Sequence, residues 1–270
     1  MSFSATEAAF EGFRVTRQNP LSVLVWAGLW LVGLIVAVMI LGPMTMPYAS
    51  EIEAAQGDVA ALSPSAVSAL SLGMLAVLPV LLVLQAILAP AVYRAVYAPQ
   101  AKRIGYLQLG KVELRTLAVV AVLGVLSIVL NLGGEAAVTF SKQVGGVPAA
   151  FVVNAAVFVF TTWISVRLML AAPLVLRRKG LPFRDSWRMT AKVFWPVLGV
   201  FFLSLAMTLL VLLLLVLVGW PLYAALTMGG GMAAIPGLLL LLLMGLGMAL
   251  VSVLMWAPFA SIVQQLDTRA

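Results

Sequence analysis

FWPVLGVFFLSLAMTLLVLLLLVLVGW, residues 194–220, decides the fold class, because no charged side chain interrupts it. Crossing an apolar core of about 30 Å takes about 20 helical residues at about 1.5 Å each, and this run exceeds that length. Backbone amides cannot stay unpaired in lipid, so such a segment crosses as an α-helix. Working outward, four more clear apolar runs stand at 21–41, 66–88, 147–170 and 237–256. A shorter, interrupted run at 117–132 needs part of 112–116 to complete a span. The 270-residue chain is 64% hydrophobic and 9% charged, with a mean hydropathy of +1.15. Soluble chains run about 45–50% apolar and about 25% charged. The pattern therefore predicts an all-α polytopic membrane protein with six transmembrane helices, a single membrane domain over 1–270.

Charge placement orients those spans. Of the 16 lysines and arginines, all but Lys142 fall on one side of the expected membrane. The positive-inside rule makes that side cytoplasmic, and both termini join it. Glu51, Glu53, Asp58 and Glu135 are expected in outer loops. A cleaved signal peptide is the weaker reading of the first run, which is longer than a signal core of about 7–15 residues.

An internal pattern accompanies the spans. Ala89-Pro90, Ala172-Pro173 and Ala257-Pro258 recur at nearly equal spacing and are expected to end the second, fourth and sixth helices. Phe13-Arg14-Val15-Thr16 is echoed by Trp187-Arg188-Met189-Thr190. The repeat reading divides the chain into three helical hairpins at approximately 1–98, 99–180 and 181–270. The alternative is that these prolines only stop helices at the interface, which needs no duplication.

Between the spans lie expected interfacial segments. In residues 1–20, Phe3, Phe10 and Phe13 with Ala9 share one face of an amphipathic helix, and Glu7, Glu11 and Arg14 form its polar strip. Basic and aromatic residues mix in 91–115 and 174–192, a composition suited to the headgroup zone. Candidate contacts to anionic lipid headgroups are Arg94, Lys102, Arg103, Arg177, Arg178, Lys179, Arg184 and Arg188, each worth up to about 1 kcal/mol near a charged leaflet. Topology setting and interfacial anchoring account for the same residues. Because they flank membrane spans, they predict no nucleic-acid partner despite a net charge of +7.

Polar groups inside the spans are few. Gln85, Asn131, Asn154 and Arg167 form the candidate intramembrane polar site. Arg167 reads first as a snorkelling or packing residue, with a carbonyl freed near Pro173 or a lipid phosphate as its partner. Gly28, Gly33, Gly245 and Gly247 permit close helix contact. The chain has no histidine and no cysteine, which removes thiolate chemistry, histidine bases, disulfides and His- or Cys-ligated metals. No catalytic residue, metal ligand or cofactor is expected. The carboxylates an enzyme would need, Glu113, Glu51 and Glu135, are not clustered in sequence.

Trp187-Arg-Met-Thr-Ala-Lys-Val-Phe-Trp-Pro-Val-Leu-Gly199 and Gly105-Tyr-Leu-Gln-Leu-Gly-Lys-Val-Glu-Leu-Arg115 resemble bacterial six-span inner-membrane proteins. Many of these are named after the glycerophosphoryl diester phosphodiesterase membrane domain. The resemblance covers most of the chain in layout and is specific only in these two stretches. It implies a bacterial inner-membrane location but no activity, since that family's phosphodiesterase chemistry resides in a separate barrel that is missing here. The expected role is a non-enzymatic accessory or organising protein contacting anionic lipid, with a protein partner or a second copy of itself. The alternatives are a facilitator or carrier for a small or lipid-like solute, and then a lipid-processing enzyme.

Overall fold

A computed structural model describes residues 4–99, 105–178, 180–227 and 234–267. Among the described residues the chain is helical throughout its regular structure, with no strand. The helices are α1 (Ala5–Ala9), α2 (Glu11–Gln18), α3 (Pro20–Thr45), α4 (Ala49–Ala55), α5 (Pro64–Tyr97), α6 (Lys111–Leu168), α7 (Ala171–Leu174), α8 (Phe183–Thr227) and α9 (Ala234–Asp267). Five stretches are long and apolar enough to cross a membrane: Pro20–Ala55, Pro64–Tyr97, Lys111–Leu174, Phe183–Thr227 and Ala234–Asp267.

The separate runs expected at 117–132 and 147–170 meet a single element with a reversal inside it. Gly146 has φ +69° and ψ −162°, a conformation open essentially to glycine alone. Beyond it α6 doubles back. A Cβ on Gly134 would lie 2.6 Å from Val157 Cγ1, and Asn131 and Thr161 line one cleft, contacts that a straight rod could not make. Glu135 and Lys142, expected in an outer loop, are therefore helical residues of α6.

Packing is concentrated at one end of the molecule. The second half of α5 is buried almost continuously from Leu84 to Val96, and α9 is buried from Ala249 to Leu266. Trp26 and Trp30 of α3 and Val15 of α2 close the same core. At the other end, side chains such as Val38, Met39, Leu75, Leu213 and Leu217 are exposed. A helix that is apolar on all sides and packed mainly at one end is suited to lipid along much of the rest of its length. Small residues set the close contacts around α9. A Cβ on Gly245 would meet Ala27 O at 3.0 Å, and one on Gly247 would meet Leu215 at 2.7 Å, whereas Gly28 faces open space.

The Ala-Pro pairs do not all end helices. α5 runs through buried Pro90 to Tyr97, and α9 runs through buried Pro258 to Asp267. Proline removes one amide bond, but both prolines sit where the core holds the helix axis on either side. Only the pair at Pro173 falls at a break, in the short buried α7.

The amino-terminal segment divides its expected apolar face, with Ala9 buried against the protein and Phe10 and Phe13 exposed. It breaks at Phe10 into α1 and α2. Ala8, Ala9, Glu11, Gly12 and Val15 are buried, while Phe10 and Phe13 are exposed. The cause is close approach: a Cβ on Gly12 would lie 2.9 Å from Leu254 Cα. Small residues let α2 lie directly on α9, and the phenylalanines are turned outward. Phe3 lies outside the described residues.

The loop after α5 is strapped to the start of α3. Gly105 N donates to Ser22 Oγ (3.0 Å), and Trp26 Nε1 donates to Gly105 O (2.7 Å). Gly105 and Tyr106 both have positive φ, which turns the chain over the helix end. At the opposite end Glu51 accepts from the backbone and the hydroxyl of Ser63, the residue that caps α5. Glu51, one of the three carboxylates an enzyme would need, is thus a fastening of the loop.

Candidate functional site

Several of the described basic residues on the packed end hold the fold together. Arg94, in the last turn of α5, pairs with buried Glu113 of α6 and donates to Tyr106 O at 3.2 Å. Arg177 and Arg178 reach Asp267 at the end of α9, at 3.2 and 3.3 Å. The Arg177 guanidinium also lies 4.4 Å from the centre of the Tyr97 ring, and the Tyr97 hydroxyl donates to Pro173 O at 3.2 Å. These contacts tie α5, α7 and α9 into one layer. Arg184 and Arg188 are exposed on α8, and no ion pair engages them among the described residues. Lys102, Arg103 and Lys179 lie outside the described residues.

Nearby, Glu11 is 3% exposed and accepts from Arg14 at 2.6 Å. Burial raises its carboxyl above the ordinary value of 4.5, partly opposed by the Arg14 guanidinium.

The intramembrane polar residues do not gather into one site. Asn131 and Asn154 face a shared cleft of about 440 Å³ in the fold of α6, together with Glu135, Thr139 and Thr161. Asn131 Nδ2 is satisfied within its own helix by Ser127 O at 2.8 Å. Gln85 lines a different cleft, among α5, α6 and α9, with apolar neighbours such as Leu81, Met255 and Phe259. Arg167 is separate from both. The three carboxylates also stay apart, since Glu113 is paired with Arg94, Glu51 holds Ser63, and Glu135 lies in the α6 cleft. Among the described residues no group of three or more acidic side chains is placed to hold a metal ion.

Arg167 occupies the most organised of these positions. Pro196 lacks the amide that would bond one turn back, and α8 kinks at Val193 (φ −132°, ψ 27°). The first turns of α8 thereby lie against the end of α6. Ser186 Oγ and Thr190 Oγ1 donate to Arg167 O at 2.8 and 3.2 Å. The guanidinium carbon sits 5.5, 5.3 and 5.8 Å from the ring centres of Trp163, Trp187 and Phe194. Cation–π contacts of this kind are worth about 0.5–2 kcal/mol each. One terminal nitrogen donates to Trp187 O at 3.3 Å, and Nε is buried without a partner. The carbonyl partner is thus Trp187 of the next helix, not one freed near Pro173. The Trp163–Arg167 spacing of one turn was visible in sequence. The Trp187 and Phe194 side of the cage depends on the α8 kink and was not.

By class, a chain whose regular structure is all helix among the described residues, with five stretches there long and apolar enough to cross a bilayer, is a multi-pass membrane protein. No family model, no curated protein and no solved structure matches it.

Proposed function

We propose that this chain is a non-enzymatic, six-span membrane protein that contacts anionic lipid and organises or assists a partner at one membrane face. The two arms of α6 count as two spans in this reading, which brings both chain ends to the packed, basic face. That face is cytoplasmic by the positive-inside rule, and the membrane is a bacterial inner membrane by the resemblance of 187–199 and 105–115. The family's name lends no activity to the chain.

The observation that carries the reading is the coincidence of the closed apolar core with the basic end. Leu84–Val96 and Ala249–Leu266 are packed, and among the arginines that no ion pair engages in the described residues, Arg184 and Arg188 are exposed at the start of α8. The separation of Glu51, Glu113 and Glu135 supports leaving the lipid-processing reading aside. The cleft holding Asn131, Glu135 and Asn154 favours the carrier reading as a second. Native mass spectrometry of the full chain released from phosphatidylglycerol/phosphatidylcholine micelles tests the first, which expects retained phosphatidylglycerol. Retention of neither lipid, with saturable solute flux in proteoliposomes, would favour the carrier.

A further inference from the structure

Above the Arg167 cage, the second arm of α6 and the body of α8 diverge. The groove between them measures about 820 Å³, inside the about 300–1,000 Å³ range of small-ligand sites. Phe158, Val159 and Trp163 wall one side, and Phe194, Leu198 and Phe202 wall the other. Phe158, Val159 and Phe202 are more than half exposed, so the groove opens sideways to the surroundings of the helices. Trp163 and Phe194 belong both to the groove and to the cage of Arg167.

The cage holds a cation but supplies no anion. The three rings are neutral, the one polar partner is a carbonyl, and no ion pair engages Arg167 among the described residues. A guanidinium has five donors in a fork that matches phosphate oxygens. The helix running past it carries Arg184, Arg188 and Lys192 against Asp185, a composition suited to the headgroup zone. A half-buried cation beside this basic segment, at the foot of an apolar groove that opens laterally, is complementary to a molecule with a phosphate at one end and alkyl chain at the other.

We infer that this groove binds one anionic phospholipid, its phosphate on Arg167 and an acyl chain between α6 and α8. The inference rests on the anionic-lipid reading above and locates its principal site. It moves that site away from Arg177 and Arg178, which Asp267 already engages.

The test is native mass spectrometry of the full chain in micelles holding equal phosphatidylglycerol and phosphatidylcholine. The wild type should retain one phosphatidylglycerol, and Arg167→Gln should lower its occupancy at least tenfold. Ala156→Trp should do the same by filling the groove wall at an exposed position. It also guards against a folding defect in the arginine variant, with size exclusion checking both. Arg178→Ala should retain lipid as the wild type does. Equal retention in Arg167→Gln and Ala156→Trp would overturn this site while leaving lipid contact elsewhere intact. No preference for phosphatidylglycerol in the wild type would overturn both. Saturable binding of inorganic phosphate to delipidated protein, lost in Arg167→Gln, would reassign the site to a soluble anion and overturn the lipid.

Discussion

Replacing Glu113 by alanine leaves the Arg94 guanidinium without its counterion in a site where the two side chains are 15% and 7% exposed. Removing one member of a buried pair costs about 3–5 kcal/mol, because the remaining charge stays desolvated. Arg94 keeps its bond to Tyr106 O, which argues for the lower end, about 3 kcal/mol, or about a hundredfold in the folding equilibrium. Arg94→Met/Glu113→Leu removes both charges and should recover most of that loss. The assay is reversible unfolding in mixed micelles. Intrinsic fluorescence of the seven tryptophans reports it; Trp26 is among them, its indole nitrogen donating to Gly105 in the strap next to Tyr106. A double-mutant cycle with Arg94→Ala isolates the pair. A cost for Glu113→Ala below about 0.5 kcal/mol, the range of surface pairs, or a double variant as damaged as the single, would refute the reasoning.

Three further outcomes follow from the packing. The folded Glu11 carboxyl is raised above its ordinary value of 4.5 by burial. Its stabilising contribution is therefore present below that value and lost as pH rises through the folded one. Glu11→Gln should be more stable than the parent at neutral pH, with the gap closing on acidification; a pH-independent gap in melting temperature would contradict this. Gly247→Leu drives a side chain into Leu215, which a Cβ would already approach to 2.7 Å. It should cost about 1–3 kcal/mol by overpacking, while Gly28→Leu, facing open space, should cost far less in the same unfolding assay. Gly146→Ala forces a Cβ into a φ of +69° with ψ −162° and should cost about 1–3 kcal/mol; unchanged stability would mean that the reversal takes another conformation.

Much of the fold was legible because lipid imposes simple rules. Unbroken apolar runs located the long helices without knowledge of any contact. What was not legible depended on neighbours. Phe10, Phe13 and Ala9 share one apolar face by periodicity, yet Gly12 allows α2 to meet the α9 backbone, so Ala9 is buried against the protein while the two phenylalanines stay exposed. Pro90 and Pro258 looked like stops, yet the surrounding core carries both helices through them. Arg94 was read as a headgroup contact and is paired inside the fold, because its partner Glu113 lies on the next helix. The four polar span residues divide among three places, since their levels and faces are set by the reversal in α6 and the kink in α8. The aromatic enclosure of Arg167 has a local half, Trp163, and a distant half that only packing supplies.

Everything functional stands on one geometric claim: α6 doubles back across the membrane, so that both chain ends and the basic segments share a face. The chain has no cysteine, which makes single-cysteine labelling direct. In oriented vesicles, an impermeant maleimide should reach Ser141→Cys, near the reversal, from one side, and Ser4→Cys and Gln264→Cys only from the other. Labelling of Ser4→Cys and Gln264→Cys from opposite sides would contradict the account, because α6 would then cross an odd number of times and the shared basic face would not exist.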